Sequence, residues 1–98
     1  MSCEPENKTG IVFKYKLATF PHTWDQELPR DASILHVGVS THGPAMWVWF
    51  NPDNIYLKKD VRHFRLVYTG EEFNDAHHAH VATFESEELM YHLFEYWD

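Results

Sequence analysis

Ser33-Ile34-Leu35-His36-Val37-Gly38-Val39-Ser40, then Thr41-His42-Gly43-Pro44, then Ala45-Met46-Trp47-Val48-Trp49-Phe50 is the stretch whose reading decides the fold. In its first arm Leu35, Val37 and Val39 alternate with His36, Gly38 and Ser40, the two-residue period of a strand with one buried face. The second arm is short and almost wholly apolar. Between them Gly43 and Pro44 interrupt the strand pattern and favour a turn. The whole reads as a β-hairpin, and as the most hydrophobic part of the chain it is where the core is expected to form.

Upstream, Ile11 to Phe20 reads as a strand, with Ile11, Phe13, Tyr15 and Leu17 on one face and Lys14 and Lys16 on the other, ended by Pro21. Residues 1–9 are a polar arm. Residues 21–32 read as a loop anchored by Trp24 and Leu28, with a short helical turn over 24–28 as an option and a turn at Leu28-Pro29-Arg30-Asp31. Downstream, Asn51-Pro52-Asp53-Asn54 is a turn, Ile55 to Lys59 a short edge strand, and Val61 to Thr69 a strand with Arg62, Phe64, Leu66 and Tyr68 on one face. Neither face of that strand is cleanly polar, which suits cover on both sides or a place in an interface. Gly70 to His78 reads as a polar loop and His80 to Phe84 as a further strand.

The last stretch has two readings. Ser86 can cap a helix whose stripe is Leu89, Met90, Leu93, Phe94 and Trp97, or Ser86-Glu87-Glu88 can be a tight turn that returns Leu89 to Tyr96 as a strand. The fold expected is mainly β: a small antiparallel sheet or partly open barrel of about six strands in a single domain over 1–98, with α+β as the alternative if the end is helical.

With 98 residues, 44% apolar and 23% charged, the chain has globular composition and a size that buries one core. The single Cys3 allows no internal disulfide and suits a reducing cytoplasm. Neither a secretory signal at the start nor a run of 18 apolar residues is present, so a membrane is not an expected partner. A net charge of −7 argues against nonspecific nucleic-acid binding. The charge is uneven: all Lys and Arg lie at or before Arg65, with Lys58, Lys59, Arg62 and Arg65 clustered, whereas residues 71–98 are acidic. Solvated strand faces explain this, as do an anion site at the basic stretch or association of opposite signs.

Catalysis finds little to use. No nucleophile elbow and no Gly-rich phosphate loop occurs, the carboxylates lie in runs on presumed turns, and no cofactor is expected. His77, His78 and His80 are weak metal candidates, because imidazoles two apart on a strand share a face, yet a closed zinc site needs four ligands and Cys3 is the one thiol. Binding has more support. Trp47 and Trp49 share a face, and Arg65 and Tyr68 come from a strand expected nearby, a mixture that stacks on bases and grips phosphate. Two tryptophans on an apolar strand also suit a core or a subunit contact.

The order Leu28-Pro29, Ala32-x-Ile34-Leu35-His36-Val37, a Trp-bearing strand closed by Asn51-Pro52-Asp53, Arg62-x-Phe64-Arg65-x-Val67-x-Thr69-Gly70, Thr83-Phe84 and His92-x-Phe94-Glu95 resembles a family of small phage-encoded proteins of unassigned function. In that family the final segment looks like a strand. The chain is also similar in size and style to the anti-CBASS sponges of phages. That resemblance implies a cytoplasmic, non-catalytic homo-oligomer that grips a cyclic di- or oligonucleotide at a subunit interface, with Arg62, Arg65, Tyr68 and Thr69 in the matching strand. The rival from another class is an acidic inhibitor that occupies the nucleic-acid groove of a host enzyme, its carboxylates supplied by residues 71–98.

Overall fold

The computed structural model describes residues 9–17, 22–54 and 59–98. Their seven strands are β1 (Ile11–Lys16), β2 (Thr23–Pro29), β3 (Ser33–Ser40), β4 (Gly43–Phe50), β5 (Lys59–Tyr68), β6 (His78–Ser86) and β7 (Leu89–Tyr96). They form two open antiparallel sheets, of order β1-β4-β3 and β2-β5-β7-β6. The chain is therefore mainly β, and its last segment is a strand rather than a helix. Strand alternation divides the stripe that suggested a helix: Leu93 is buried on the core face, and Phe94 pairs with Arg65 on the opposite one.

The deciding hairpin is β3 and β4, and β4 is the central strand of its sheet. The connection is tighter than expected. Ser40 pairs with Gly43, so Thr41 and His42 alone make the loop, and Gly43 and Pro44 belong to β4. Gly43 supplies a φ of 103°, and the Ser40 hydroxyl donates to its carbonyl at 2.9 Å. The alternation in β3 is also corrected. The register shifts between Ile34 and His36, a bulge that leaves Leu35 58% exposed while Val37 is buried.

The core lies between the sheets. From β4 come Met46, Val48 and Phe50, joined by Val37, and they meet Leu28, Phe64, Leu66, Phe84 and Leu93 of the four-stranded sheet. Leu17, which follows β1 and donates its N–H to the Pro44 carbonyl at 3.0 Å, also enters this cluster. The expected first strand is shorter than Ile11 to Phe20, and its end at 18–21 lies outside the described residues, as does 55–58 of the expected edge strand.

Residues 23–29 are β2, neither loop nor helical turn. Asp25 and Glu27 are exposed while Trp24 and Gln26 are half-buried and Leu28 buried, so the segment obeys a two-residue period at the edge of the second sheet. The turn at Asn51 is as read: Asn54 N–H donates to the Asn51 carbonyl at 2.9 Å and Asp53 N–H to the Asn51 side chain at 3.0 Å.

Two half-buried side chains on the core side are charged. Arg62 of β5 donates from Nε and Nη2 to both carboxylate oxygens of Glu95 in β7, each at 2.7 Å, and from Nη1 to the Ala32 carbonyl at 2.9 Å. The bond to Glu95 holds the guanidinium above its ordinary pKa; burial opposes this, and the charges of Glu95 and Asp60 add to it. Ala32 leads into β3, so one side chain ties both sheets together.

Removing Arg62 leaves Glu95 half-buried and alone. Arg62→Ala is expected to lower unfolding free energy by about 2–3 kcal/mol, discounted for partial exposure, and the double change Arg62→Met with Glu95→Leu to recover most of it, as read by urea denaturation. A second expectation concerns the β6–β7 loop, where Glu87 and Glu88 take φ values of 50° and 70°. Two such residues make a hairpin turn that favours Asn-Gly, so Glu87→Asn with Glu88→Gly is expected to stabilise by about 1 kcal/mol. Unchanged or lower stability in the same denaturation assay would count against that strain.

Candidate functional site

Sheets that pack on one face leave the other face to act. The outer face of the four-stranded sheet is read row by row from the register. Asp25, His63, Tyr96 and His78 lie across β2, β5, β7 and β6 in one row; Thr23, Arg65, Phe94 and His80 form the next; Val67, His92 and Thr83 follow. The middle of this outer face is made of histidines, aromatic rings and one guanidinium, with the exposed charges of Glu27, Lys59 and Glu85 at its margins. Such a centre is unusual for a solvated sheet, where polar and charged residues alternate outward.

Each row has an internal logic. Asp25 Oδ1 accepts from His63 Nδ1–H at 2.6 Å, and both are largely exposed. Tyr96 stands between two imidazoles, with ring centroids 5.5 Å from His63 and 5.3 Å from His78. From the loop before β6, Phe73 folds back to pack 4.7 Å from Phe94 and 5.8 Å from His78. A hydrogen-bonded chain crosses the far end: His80 Nε2 to Thr83 Oγ1 at 2.8 Å, Thr83 Oγ1 to His92 Nδ1 at 2.9 Å, and His92 Nε2 to Thr69 Oγ1 at 2.8 Å.

Arg65 stands in the middle of this face. Its guanidinium lies 6.0 Å from the centre of the Tyr96 ring, and its buried Nε–H has no hydrogen-bond partner among the described residues. His78 complements it. His78 Nδ1–H donates to the Ala76 carbonyl at 2.7 Å, which leaves Nε2 in the neutral ring as an acceptor, and that atom too is buried without a partner among the described residues. Strand spacing puts the two α-carbons about 12 Å apart, two strands across and two residues along. A bound molecule that brings an anion to Arg65 and an N–H to His78 would satisfy both.

The residues expected from sequence are divided among surfaces. Arg65 and Thr69 belong to this face, with His78 and His80. Arg62 points to the core side of the same strand and is committed to Glu95 and Ala32. Tyr68, 42% exposed, shares that side at the strand's end, its ring centroid 6.3 Å from that of His22. Trp47 and Trp49 lie elsewhere, on the outer face of the three-stranded sheet. There Trp47 lies between Lys14 and His36, and Trp49 covers Gly10 so closely that a Cβ at that position would enter the indole. Asp31, Ser33, Asn51 and Asn54 join Trp49 around an open cleft of about 450 Å³. The expectation that the tryptophans and Arg65 meet is thus not met, because β4 and β5 are in different sheets.

His77 sits on the turn before β6 at a φ of 62°, with its ring 6.3 Å from that of Trp97. Among the described residues no group of three His, Cys, Asp or Glu is placed to hold a metal ion. Sequence reading overlooked Phe73, Thr83, His92, Phe94 and Tyr96 as site residues. The signal was the outward set His92, Phe94 and Tyr96 in β7, which alternates with Tyr91, Leu93 and Glu95 once that segment is read as a strand.

Fold and site define a small antiparallel two-sheet protein with one aromatic, histidine-bearing outer face. The chain belongs to the DUF7352 family, a domain of unknown function, whose pattern matches residues 8–98. No curated protein and no solved structure matches it. Among the described residues no helix is long and apolar enough to cross a membrane.

The chain His80–Thr83–His92–Thr69 can be satisfied in either direction, because each hydroxyl donates once. In both directions His80 and His92 carry the proton on the same ring nitrogen. Long-range nitrogen–proton correlation spectra near neutral pH are expected to show matching tautomers for the two rings. Opposite tautomers would mean that the chain is broken at Thr83.

Proposed function

We propose that this protein is a non-catalytic binder of a small nucleotide, of the cyclic di- or oligonucleotide class, held on the Arg65 face. The observation that carries the reading is the contrast between two arginines three residues apart. Arg62 spends three donor nitrogens on the fold, whereas the Nε–H of Arg65, beside the Tyr96 ring, is buried without a hydrogen-bond partner among the described residues. Burying a donor unpaired costs free energy that a ligand acceptor returns, and guanidinium grips phosphate bidentately. Phe94, Tyr96 and Phe73 offer ring surface for a base, and His78 Nε2 accepts from a base N–H.

Sequestration is the function that follows. In the host cytoplasm, the setting the phage resemblance implies, a protein made in excess of a signal and binding it more tightly than its receptor does holds free signal below threshold by mass action. Nothing in that scheme requires bond making. The geometry needs the ligand to exchange, and an open sheet face allows it.

Isothermal titration of the untagged protein with a panel of cyclic di- and trinucleotides tests this. One member is expected to bind, and Arg65→Ala to weaken it at least tenfold while far-ultraviolet dichroism stays unchanged. The paired change Trp47→Ala and Trp49→Ala is expected to leave affinity within about twofold. No uptake of any member would overturn the reading, and loss through the tryptophans alone would move the site to the other sheet.

The acidic-inhibitor reading keeps one observation of its own. Glu85, Glu87 and Glu88 are exposed around the β6–β7 turn, where two of them hold a left-handed backbone that glycine or asparagine would take more easily. A partner held there would dissociate steeply as salt rises, and a nucleotide buried against aromatic rings less so.

A further inference from the structure

Open sheets have edges, and natural proteins guard them with bulges, prolines, charges or cover. Three of the four edges here are guarded. β2 carries Asp25, Glu27 and Pro29. β3 and β6 each carry a register shift, and they lie side by side, lining one cleft of about 240 Å³. β1 differs: Ile11-Val12-Phe13-Lys14-Tyr15-Lys16 has no bulge, no proline and no carboxylate, and among the described residues it pairs with β4 alone.

Its apolar residues are also uncovered. Ile11 is 41%, Val12 45% and Phe13 39% exposed, although Ile11 and Phe13 are on the side that faces the core. The second sheet therefore stops short of β1. Two lysines remain as a guard, both on the outer side and both in the second half of the strand.

We infer that β1 is a homodimer interface: two copies join edge to edge, antiparallel about a two-fold axis, to make one continuous six-stranded sheet. The strand is complementary to itself in one register. With Phe13 opposite the second copy's Phe13, Ile11 meets Tyr15 on the core side, Val12 meets Lys14 on the outer side, and Lys16 falls opposite Gly10. Of the two neighbouring registers, the one centred on Lys14 sets like charges against each other and the one centred on Val12 pairs only Ile11, Val12 and Phe13 within β1, so both are disfavoured. A two-fold contact of this kind closes on itself, so it gives a dimer and not a fibre. It leaves the Arg65 face untouched, on the other sheet of each copy, and does not depend on a nucleotide being bound.

Sedimentation equilibrium of the full chain without ligand, from micromolar to near-millimolar concentration, is the test. A reversible dimer is expected. Val12→Lys puts lysine opposite Lys14 twice per dimer and is expected to weaken association at least tenfold. Adding Lys14→Glu to that variant restores opposite signs in this register and is expected to return the dimer. In hydrogen exchange, amides of β1 are expected to slow as concentration rises, a readout that needs no substitution. A wild-type monomer throughout, a dimer indifferent to Val12→Lys, or β1 exchange independent of concentration would each overturn the inference.

Discussion

The contact of Arg62 with Glu95 and Ala32 is the interaction on which the rest of the arrangement depends. Hydrophobic burial supplies most of the drive for folding, but it is non-directional and would tolerate several offsets of two small sheets. A guanidinium that forks onto one carboxylate while reaching a carbonyl at the entrance to β3 tolerates far fewer. It fixes β5 against β7 within one sheet and sets where the other begins. With that offset fixed, Phe64 and Leu66 of β5 pack with Met46, Val48 and Phe50 of β4 in one cluster. The cost is a half-buried charge pair at the border of an apolar layer, which is bearable because each charged group is matched.

That same commitment explains why the neighbouring arginine is different. Strand alternation sends Arg62 and Arg65 to opposite faces of β5. The inward one finds a carboxylate on β7; the outward one finds rings. A cation over Tyr96 is held in place without being neutralised, so its hydrogen-bonding capacity is retained for something else. The histidines around it hold their places through specific acceptors, Asp25 for His63 and the Ala76 carbonyl for His78, so the face is ordered before anything binds. Order of that kind reduces what a ligand must lose on arrival.

Much of the fold was legible in the sequence where one face is apolar and the other polar. The β3–β4 hairpin and the Asn51 turn could be read because their periods or turn residues are local, and the faces of β5 could be assigned by alternation although neither is cleanly polar. β2 escaped because its inward positions are Trp24, Gln26 and Leu28, too few apolar residues to set a period within a charged segment. β7 was ambiguous for the opposite reason. Its outward residues are aromatic as well, so Leu89, Met90, Leu93, Phe94 and Trp97 imitate a helical stripe. Half the site could be seen, and the rest depended on pairing. Arg62 and Arg65 look alike from the chain; what separates them is Glu95, 33 residues away from Arg62.

The ambiguity of β7 and the character of the outer face are one fact. A strand that is apolar on both sides cannot be read by period, and it arises when the side away from the core carries rings rather than solvated charge. Sheets of this size reach adequate stability with one buried face, so aromatic groups on the second are not required by folding. Half-buried rings on that side still present apolar surface to solvent, a cost that the core does not repay here, since Phe94 and Tyr96 lie outside the central cluster. Where a sequence resists assignment because both faces of a strand are apolar, the face away from the core is therefore the place to look for binding.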